Sequence, residues 1–113
     1  MDEDYLHQVL TIVEAVPVGR VTTYGDVAEM VGRGGPRQVG TVLARHGGGV
    51  PWWRVVRADG RPAEGLAERA LRHLAEEGVP VTDGRVRMAA ARWRPQPAEL
   101  DDLLRSAPDL SSG

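Results

Sequence analysis

Apolar residues near the start of the chain recur at spacings of three and four, the period of an amphipathic helix. The residues that share this spacing are Leu6, Val9, Leu10, Val13 and Val16. Acidic residues occupy the first turn, where they interact favourably with the positive end of the helix dipole. A helix is therefore predicted from Asp4 to Val16, ended by Pro17 and Gly19.

Two shorter helices are predicted next, joined by a link that contains glycine. The first begins at Thr23, which forms a capping-box pattern with Asp26, and it ends at Gly32. Pro36 suits the first position of the second helix, which runs to about His46. Two short helices joined in this way are typical of a helix-turn-helix.

The rest of the chain adds a small amount of predicted β-structure. The pattern predicts a strand over 50–56, a helix over 66–75, and a hairpin that joins 79–81 to 85–88 through an Asp-Gly turn. We therefore expect a mainly α fold with a small β hairpin, resembling a winged helix-turn-helix. One domain is expected over residues 1–95 and a C-terminal tail over 96–113, in which 98–105 fit one amphipathic helix.

Composition excludes several kinds of chemistry. All 14 basic residues are Arg, and the chain contains neither Lys nor Cys. It therefore has no thiolate nucleophile, disulfide, Cys-ligated zinc or Schiff-base lysine. The serines, Ser106, Ser111 and Ser112, all lie in the last eight residues, where a positioned catalytic triad is not expected. The three His residues show no metal-ligand spacing, so neither a cofactor nor a metal is expected.

The net charge of −2 conceals an uneven distribution along the chain. Residues 20–61 hold seven Arg against three acids, whereas residues 1–19 hold four acids and no base. The middle third is therefore a candidate nucleic-acid face, with chance segregation of charge as the alternative. The acidic N-terminus carries no apolar run typical of a signal peptide or a membrane span. A cytoplasmic location is expected, with association with the nucleoid when the protein binds DNA.

Three ordered blocks carry a family resemblance: VPVGRVTTYGDVA at 16–28, PRQVG at 36–40 and PWWRVV at 51–56. Together they resemble the DNA-binding domain of the O6-alkylguanine-DNA alkyltransferase family, over roughly residues 5–80. In that family the third block reads Pro-Cys-His-Arg-Val, and its Cys accepts the alkyl group. Here Trp52 occupies the Cys position, as in the alkyltransferase-like branch, whereas Trp53 stands where the transferases and many alkyltransferase-like relatives have His. The resemblance implies a protein that binds O6-alkylguanine through the minor groove, flips the base into a pocket and passes the site to nucleotide excision repair.

The resemblance also implies which residues form the site. Arg37 matches the arginine finger that fills the space of the extruded base, and Tyr24 matches the tyrosine that helps to rotate the nucleotide outward. The residues expected at the lesion pocket are Tyr24, Trp52, Trp53, Arg54 and Arg61, with Arg69 the second candidate, after Arg61, for stacking on the alkylated base. Further DNA contacts are expected from Thr22, Thr23, Gly25, Gln38, Gly40, Arg45 and Pro51.

Several of these residues have ordinary structural alternatives. Tyr24 and the Trp pair suit core packing, Thr23 suits a helix cap, and Gly40 suits close packing against a neighbouring helix. Since adjacent residues of a strand face opposite sides, Trp52 is expected to line the pocket and Trp53 to be a core or rim residue.

Two functions remain open from the sequence. The first is a monomeric, non-enzymatic sensor whose partners are double-stranded DNA containing O6-alkylguanine and the proteins of nucleotide excision repair. The second is a helix-turn-helix transcriptional regulator that reads undamaged operator DNA, usually as a dimer. The tail places three leucines among acids, which suggests a contact with the repair partner; they are Leu100, Leu103 and Leu104.

Overall fold

The computed structural model describes residues 2–106. Its elements in chain order are α1 (Glu3–Ala15), β1 (Thr22–Thr23), α2 (Tyr24–Val31), α3 (Pro36–His46), β2 (Val55–Val56), α4 (Ala67–Glu76), β3 (Val81–Thr82), β4 (Arg85–Val86), α5 (Met88–Ala91) and α6 (Pro97–Ser106). Short 3-10 turns cover Gly47–Gly49 and Trp52–Arg54. The predicted mainly α fold with a small hairpin is confirmed.

Helix α1 forms the centre of the main core. Asp2 caps it, because the Asp2 carboxylate accepts a hydrogen bond from the Tyr5 backbone N–H at 2.7 Å. This cap lets the helix begin one residue earlier than predicted. Val9, Ile12 and Val13 on its inner face have no exposed surface, so the predicted amphipathic face is the one that packs against α2 and α3.

Helices α2 and α3 form the predicted helix-turn-helix. The Thr23 hydroxyl accepts from the Asp26 backbone N–H at 3.0 Å, and Gly32 ends α2 in the left-handed conformation with φ 88°. The Asp26 side chain does not complete the capping box; it forms a two-point ion pair with Arg92 at 2.6 and 2.8 Å. This ion pair fastens the start of α2 to the segment after α5.

Two small sheets complete the fold. Strands β1 and β2 pair in parallel, with Thr22 opposite Val55, and this pairing was not predicted. Strands β3 and β4 form the predicted hairpin, in which Asp83 and Gly84 both have positive φ, 53° and 78°. Positive φ at both central residues is the requirement of a type I′ turn, which Asp-Gly satisfies.

The predicted strand over 50–56 is only partly correct. Residues 52–54 form a 3-10 turn, closed by the Arg54 backbone N–H donating to the Pro51 carbonyl at 3.0 Å, and only 55–56 are extended. The aromatic and β-branched composition favours a strand, but contacts from α4 hold the turn. The side chains of Trp52 and Trp53 therefore do not alternate as they would in a strand.

The described part of the predicted tail is the helix α6. Its three leucines, Leu100, Leu103 and Leu104, are half-buried against the main core. The core therefore already covers much of their apolar surface, and the suggested contact with a repair partner stays a prediction. The rest of the predicted tail, residues 107–113, lies outside the described residues. The division into a domain over 1–95 and a tail over 96–113 remains a prediction.

Candidate nucleic-acid interface

A pocket of about 300 Å³ opens between α3, the two 3-10 turns and the start of α4. We call it the inner pocket. It is lined by Tyr24, Gly40, Leu43, Ala44, Gly47, Gly48, Trp52, Ala63, Leu66 and Arg69. Its surroundings are mostly apolar and aromatic, with one cationic side chain, which is the composition of a site for a flat organic group. Two of the five predicted pocket residues, Tyr24 and Trp52, lie in it.

Trp52 forms an aromatic wall whose orientation is fixed by its neighbours. Its ring meets the rings of Trp53 and His73 edge-on, with centroids 5.7 and 5.9 Å away. The guanidinium carbon of Arg69 lies 5.4 Å from the Trp52 centroid. A planar cation at this distance makes a cation–π contact, and a second flat π-system could stack beside both groups.

A larger groove of about 730 Å³ adjoins the inner pocket, and we call it the outer groove. It is lined by Thr23, Tyr24, Gly25, Pro36, Arg37, Gly40, Arg57, Ala58, Ala63 and Glu64. Three residues line both hollows, namely Tyr24, Gly40 and Ala63. A ligand lying in the outer groove could therefore extend a group into the inner pocket past the Tyr24 side chain.

Tyr24 is the first residue of α2 and stands between the two hollows. Burial raises the pKa of its hydroxyl, and the nearby charge of Arg57 opposes this effect without cancelling it. The phenol is therefore protonated at neutral pH and can donate a hydrogen bond to a phosphate or a base acceptor.

At Gly40 the backbone of α3 is not covered by a side chain. A Cβ atom placed there would meet nothing within 4 Å, so close packing against a neighbouring helix, the structural alternative, is wrong. Glycine in a helix interior costs roughly 1 kcal/mol relative to Ala. Among residues 2–106 no packing contact offsets that cost, and the open backbone faces both hollows.

The exposed side of α3 carries the predicted DNA-contacting side chains. Arg37 lies in its first turn, is exposed and borders the outer groove. Gln38 is also exposed, but its side-chain oxygen accepts from the Gly35 backbone N–H at 2.9 Å and so helps to cap the helix. Arg45 is exposed near the other end of α3 and borders neither hollow.

Three predicted DNA contacts are limited by burial. Thr22 has no exposed surface, because its pairing with Val55 turns it into the core, and Pro51 is buried as well. Neither side chain can reach a phosphate, so these two predictions are corrected. Thr23 borders the outer groove, but it is only 6% exposed and its hydroxyl is engaged in the cap of α2. Gly25 is half-buried and borders the outer groove, and its contact with DNA stays a prediction.

Arg54 is predicted at the pocket but lies behind it, which corrects that prediction, and Trp53 lies there too, which agrees with its expected place as a core or rim residue. The Trp53 indole N–H donates to Glu77 at 2.8 Å, and Arg54 donates to both oxygens of the same carboxylate at 2.9 and 2.8 Å. Arg54 also donates to the Val16 carbonyl at 2.8 Å. The Trp53 ring stacks on His73 at 4.0 Å, with 12° between their planes. These contacts support the turn that presents Trp52.

Glu77 is a half-buried carboxylate that accepts hydrogen bonds from Trp53 and Arg54. Burial acts to raise its pKa, but hydrogen bonds from Arg54 and Trp53, together with the charge of Arg54, outweigh that effect and leave the pKa lowered. The side chains of Arg54 and Glu77 are 12% and 13% exposed. No local pattern indicates this partner, because Glu77 lies 23 residues after Arg54.

Arg61 does not line the inner pocket, which corrects another prediction. Its side chain is exposed and pairs with Asp59 at 3.6 Å, and its backbone N–H donates to the same carboxylate at 3.0 Å. The second candidate, Arg69, takes the pocket position because α4 folds back over the Trp52 turn. Sequence proximity to the Gly60 turn was therefore a poor guide to spatial proximity.

Arg57 is a residue that sequence reasoning missed. It directly follows β2, and the parallel pairing of β2 with β1 brings it beside Tyr24, which directly follows β1. Only a prediction of the β1–β2 pairing could have placed Arg57 beside Tyr24.

Among residues 2–106 no cluster of His, Asp or Glu is placed to hold a metal ion. None of the described helices is long and apolar enough to cross a membrane.

Comparison with known proteins decides the family. The model of the 6-O-methylguanine DNA methyltransferase DNA-binding domain matches residues 4–79, which include α2 to α4, all of α1 except its first residue, and every residue of both hollows. This chain belongs to that family. The family resemblance carried by the three sequence blocks is therefore confirmed.

Relatives place the chain among the alkyltransferase-like members. A DNA base-flipping protein of Vibrio parahaemolyticus is 31% identical over 99 residues, covering 82% of this chain and 99% of the relative. A DNA base-flipping protein of Escherichia coli is 39% identical over 98 residues, covering 81% of this chain and 76% of the relative. The structure of Schizosaccharomyces pombe Atl1 in complex with damaged DNA containing O6-carboxymethylguanine is similar at a TM-score of 0.76 and 27% identity. That match covers 84% of this chain and 99% of Atl1.

Proposed function

We propose that this alkyltransferase-like protein is a non-enzymatic sensor of O6-alkylguanine in double-stranded DNA. The observation that carries the proposal is the inner pocket, which is lined by Tyr24, Trp52 and Arg69 and adjoins the outer groove beside the exposed start of α3. Aromatic walls and a delocalised cation suit a purine taken out of its stack. The names of the Vibrio and Escherichia coli relatives and the damaged DNA bound to Atl1 support the same function.

The arrangement suggests how a base would be extruded. Helix α3 enters the minor groove, where the open backbone at Gly40 permits close approach, and Arg37 occupies the space that the base vacates. Tyr24 contacts the target phosphate from the rim of the pocket. Extrusion costs a few kcal/mol in lost stacking. Stacking on an aromatic wall such as Trp52 returns about 1–3 kcal/mol for one base.

Binding without alkyl transfer follows from the residues at the pocket wall. Trp52 stands at the position of the family's acceptor Cys, and an indole supplies no thiolate. Trp53 stands at the position of the activating His and donates its N–H to Glu77. A pocket that performs no chemistry on the alkyl group has no need to hold it against a nucleophile, so bulky O6 adducts are expected ligands as well.

Removal of the bound lesion requires another protein. Because the chain carries no Cys thiolate to accept the alkyl group, a bound lesion persists until a separate activity removes it. We propose that nucleotide excision repair proteins are that partner, and that the sensor acts as a cytoplasmic monomer, associated with the nucleoid when bound to DNA. Incision of a duplex containing O6-alkylguanine by a purified excision nuclease should increase when the sensor is added. An unchanged rate of incision would contradict the proposed partnership with nucleotide excision repair.

The absence of transfer has its own test. The protein is incubated with excess duplex containing O6-methylguanine, complex formation is followed by native gel, and the masses of protein and DNA are then measured. We expect a stable complex with the protein mass unchanged and the methyl group still on the DNA. A protein heavier by one methyl group, or DNA that has lost it, would contradict a sensor without chemistry.

A further inference from the structure

Arg57 occupies a fixed position on the rim of the outer groove. It borders the groove together with Tyr24 and Arg37, and its side chain is exposed. Its backbone is held on both sides of a tight turn, since the Arg57 N–H donates to the Arg61 carbonyl and the Gly60 N–H donates to the Arg57 carbonyl, both at 2.8 Å. The base of this side chain is therefore presented by an ordered turn.

The hairpin β3–β4 supports that turn from behind. The Val86 backbone N–H donates to the Gly60 carbonyl at 2.9 Å. Gly60 has φ 88°, and a Cβ atom there would lie 2.6 Å from the Val86 carbonyl oxygen. Only glycine allows this close backbone contact, so the hairpin and the turn that carries Arg57 form one unit.

The local charge is positive around Arg57. A hydrogen bond from the Arg61 backbone lowers the pKa of Asp59, and the charges of Arg57, Arg61 and Arg85 lower it further. Arg61 alone lies close enough to pair with that carboxylate. Within the described part of the chain, no carboxylate approaches the Arg57 guanidinium to 4.0 Å. Glu64 is a second acid, exposed at the outer groove. The three arginines Arg57, Arg61 and Arg85 therefore outnumber the two acids Asp59 and Glu64.

We propose that Arg57 binds a phosphate of the DNA backbone beside the flipped nucleotide, on the same rim as Tyr24. This inference rests on the proposed function, because it supposes DNA in the outer groove. Arg37 and Arg57 then act differently: Arg37 enters the base stack, whereas Arg57 holds the strand from outside. A phosphate contact carries no base information, so Arg57 strengthens binding to damaged and undamaged duplexes alike.

The salt dependence of DNA binding distinguishes this role. Each neutralised phosphate contributes about −0.9 to the slope of log affinity against log salt concentration. Dissociation constants of wild type and of Arg57→Gln are measured at ~50 and ~200 mM salt with the same two duplexes, damaged and undamaged. The loss of affinity between these concentrations should be smaller by about 3.5-fold in the variant, on both duplexes. Arg57→Lys, which keeps the charge, should retain the wild-type slope.

Arg105→Gln is the matched control, since it removes the same charge from α6, where Arg105 is exposed and pairs with Asp102 at 3.3 Å. Its slope should equal that of wild type. A wild-type slope in Arg57→Gln, or an equal loss in Arg105→Gln, would overturn the assignment. If the proposed function fails, wild type binds the damaged and undamaged duplexes equally. The difference in salt slope between wild type and Arg57→Gln still shows whether Arg57 contacts a phosphate.

Discussion

The guanidinium of Arg69 lies 5.4 Å from the centre of the Trp52 ring, so a cation from α4 and an indole from the preceding 3-10 turn make a cation–π contact at the wall of one pocket. Such a pair offers a flipped base two flat surfaces of different electronic character. Alkylation at O6 changes the electron distribution and the hydrogen-bonding edge of guanine. We therefore expect the Arg69–Trp52 pair to contribute to lesion selectivity more than to general DNA affinity.

Arg69→Ala should lower the preference for O6-methylguanine over guanine by about 2- to 30-fold, the range of a cation–π contact of about 0.5–2 kcal/mol. The measurement is the ratio of dissociation constants for two duplexes that differ only at the lesion. Arg72→Ala is the control on the same helix, because Arg72 is exposed, pairs with Glu68 and borders neither hollow. An equal fall in affinity for both duplexes would assign Arg69 to general charge attraction instead.

Arg37→Ala should reduce affinity for the damaged duplex about tenfold or more, because nothing then fills the gap left by the base and part of the unstacking cost is not offset. Fluorescence of 2-aminopurine placed next to the lesion reports extrusion, because it rises when the neighbouring base leaves the stack. Arg45→Ala, which changes an exposed side chain on the same helix away from both hollows, should retain the flipping signal. A full flipping signal in Arg37→Ala would contradict its role as the inserted residue.

Glu77→Gln should lower the free energy of unfolding by about 1–3 kcal/mol at neutral pH, since it leaves the Arg54 side chain, only 12% exposed, without its anionic partner. The folded-state pKa of Glu77 lies below the ordinary value of 4.5. Its contribution is therefore complete above that pH and is lost as the pH falls through the folded-state pKa. Denaturant unfolding should show a difference between wild type and variant that is constant near pH 7 and shrinks below about pH 4.5. A constant difference down to pH 3 would contradict the assigned ion pair.

Thr22→Val should leave DNA affinity unchanged and stabilise the fold by up to about 1 kcal/mol, because it removes a hydroxyl that is buried without a hydrogen-bond partner among the described residues. Thermal unfolding and duplex binding measure the two effects. Loss of DNA binding in a variant that remains folded would show that Thr22 belongs to the DNA interface and would contradict this prediction.

Local signals in the sequence were sufficient for the helical framework. Capping by Thr23, the stop at Gly32 and the start at Pro36 depend on neighbouring residues, and all three predictions are confirmed. The Asp83-Gly84 turn is confirmed for the same reason. These features follow from backbone conformations that particular residues favour within a few positions.

Contacts between distant segments decided the rest of the site. The Trp52–Arg54 turn depends on Glu77, and the position of Arg57 depends on the pairing of β1 with β2. No periodicity reports either contact. Arg61 and Arg69 could not be ranked by sequence distance, because the return of α4 over the pocket determines which one reaches Trp52.

Equilibrium binding to two matched duplexes, one with O6-methylguanine and one with guanine, tests the central claim most directly when it is measured at two salt concentrations. Ionic contacts contribute equally to both duplexes, so the ratio isolates the pocket. The account predicts a preference for the lesion of more than about tenfold, equivalent to about 1.4 kcal/mol, at both concentrations. Equal affinity for the two duplexes would contradict lesion recognition and would favour a regulator that reads undamaged DNA.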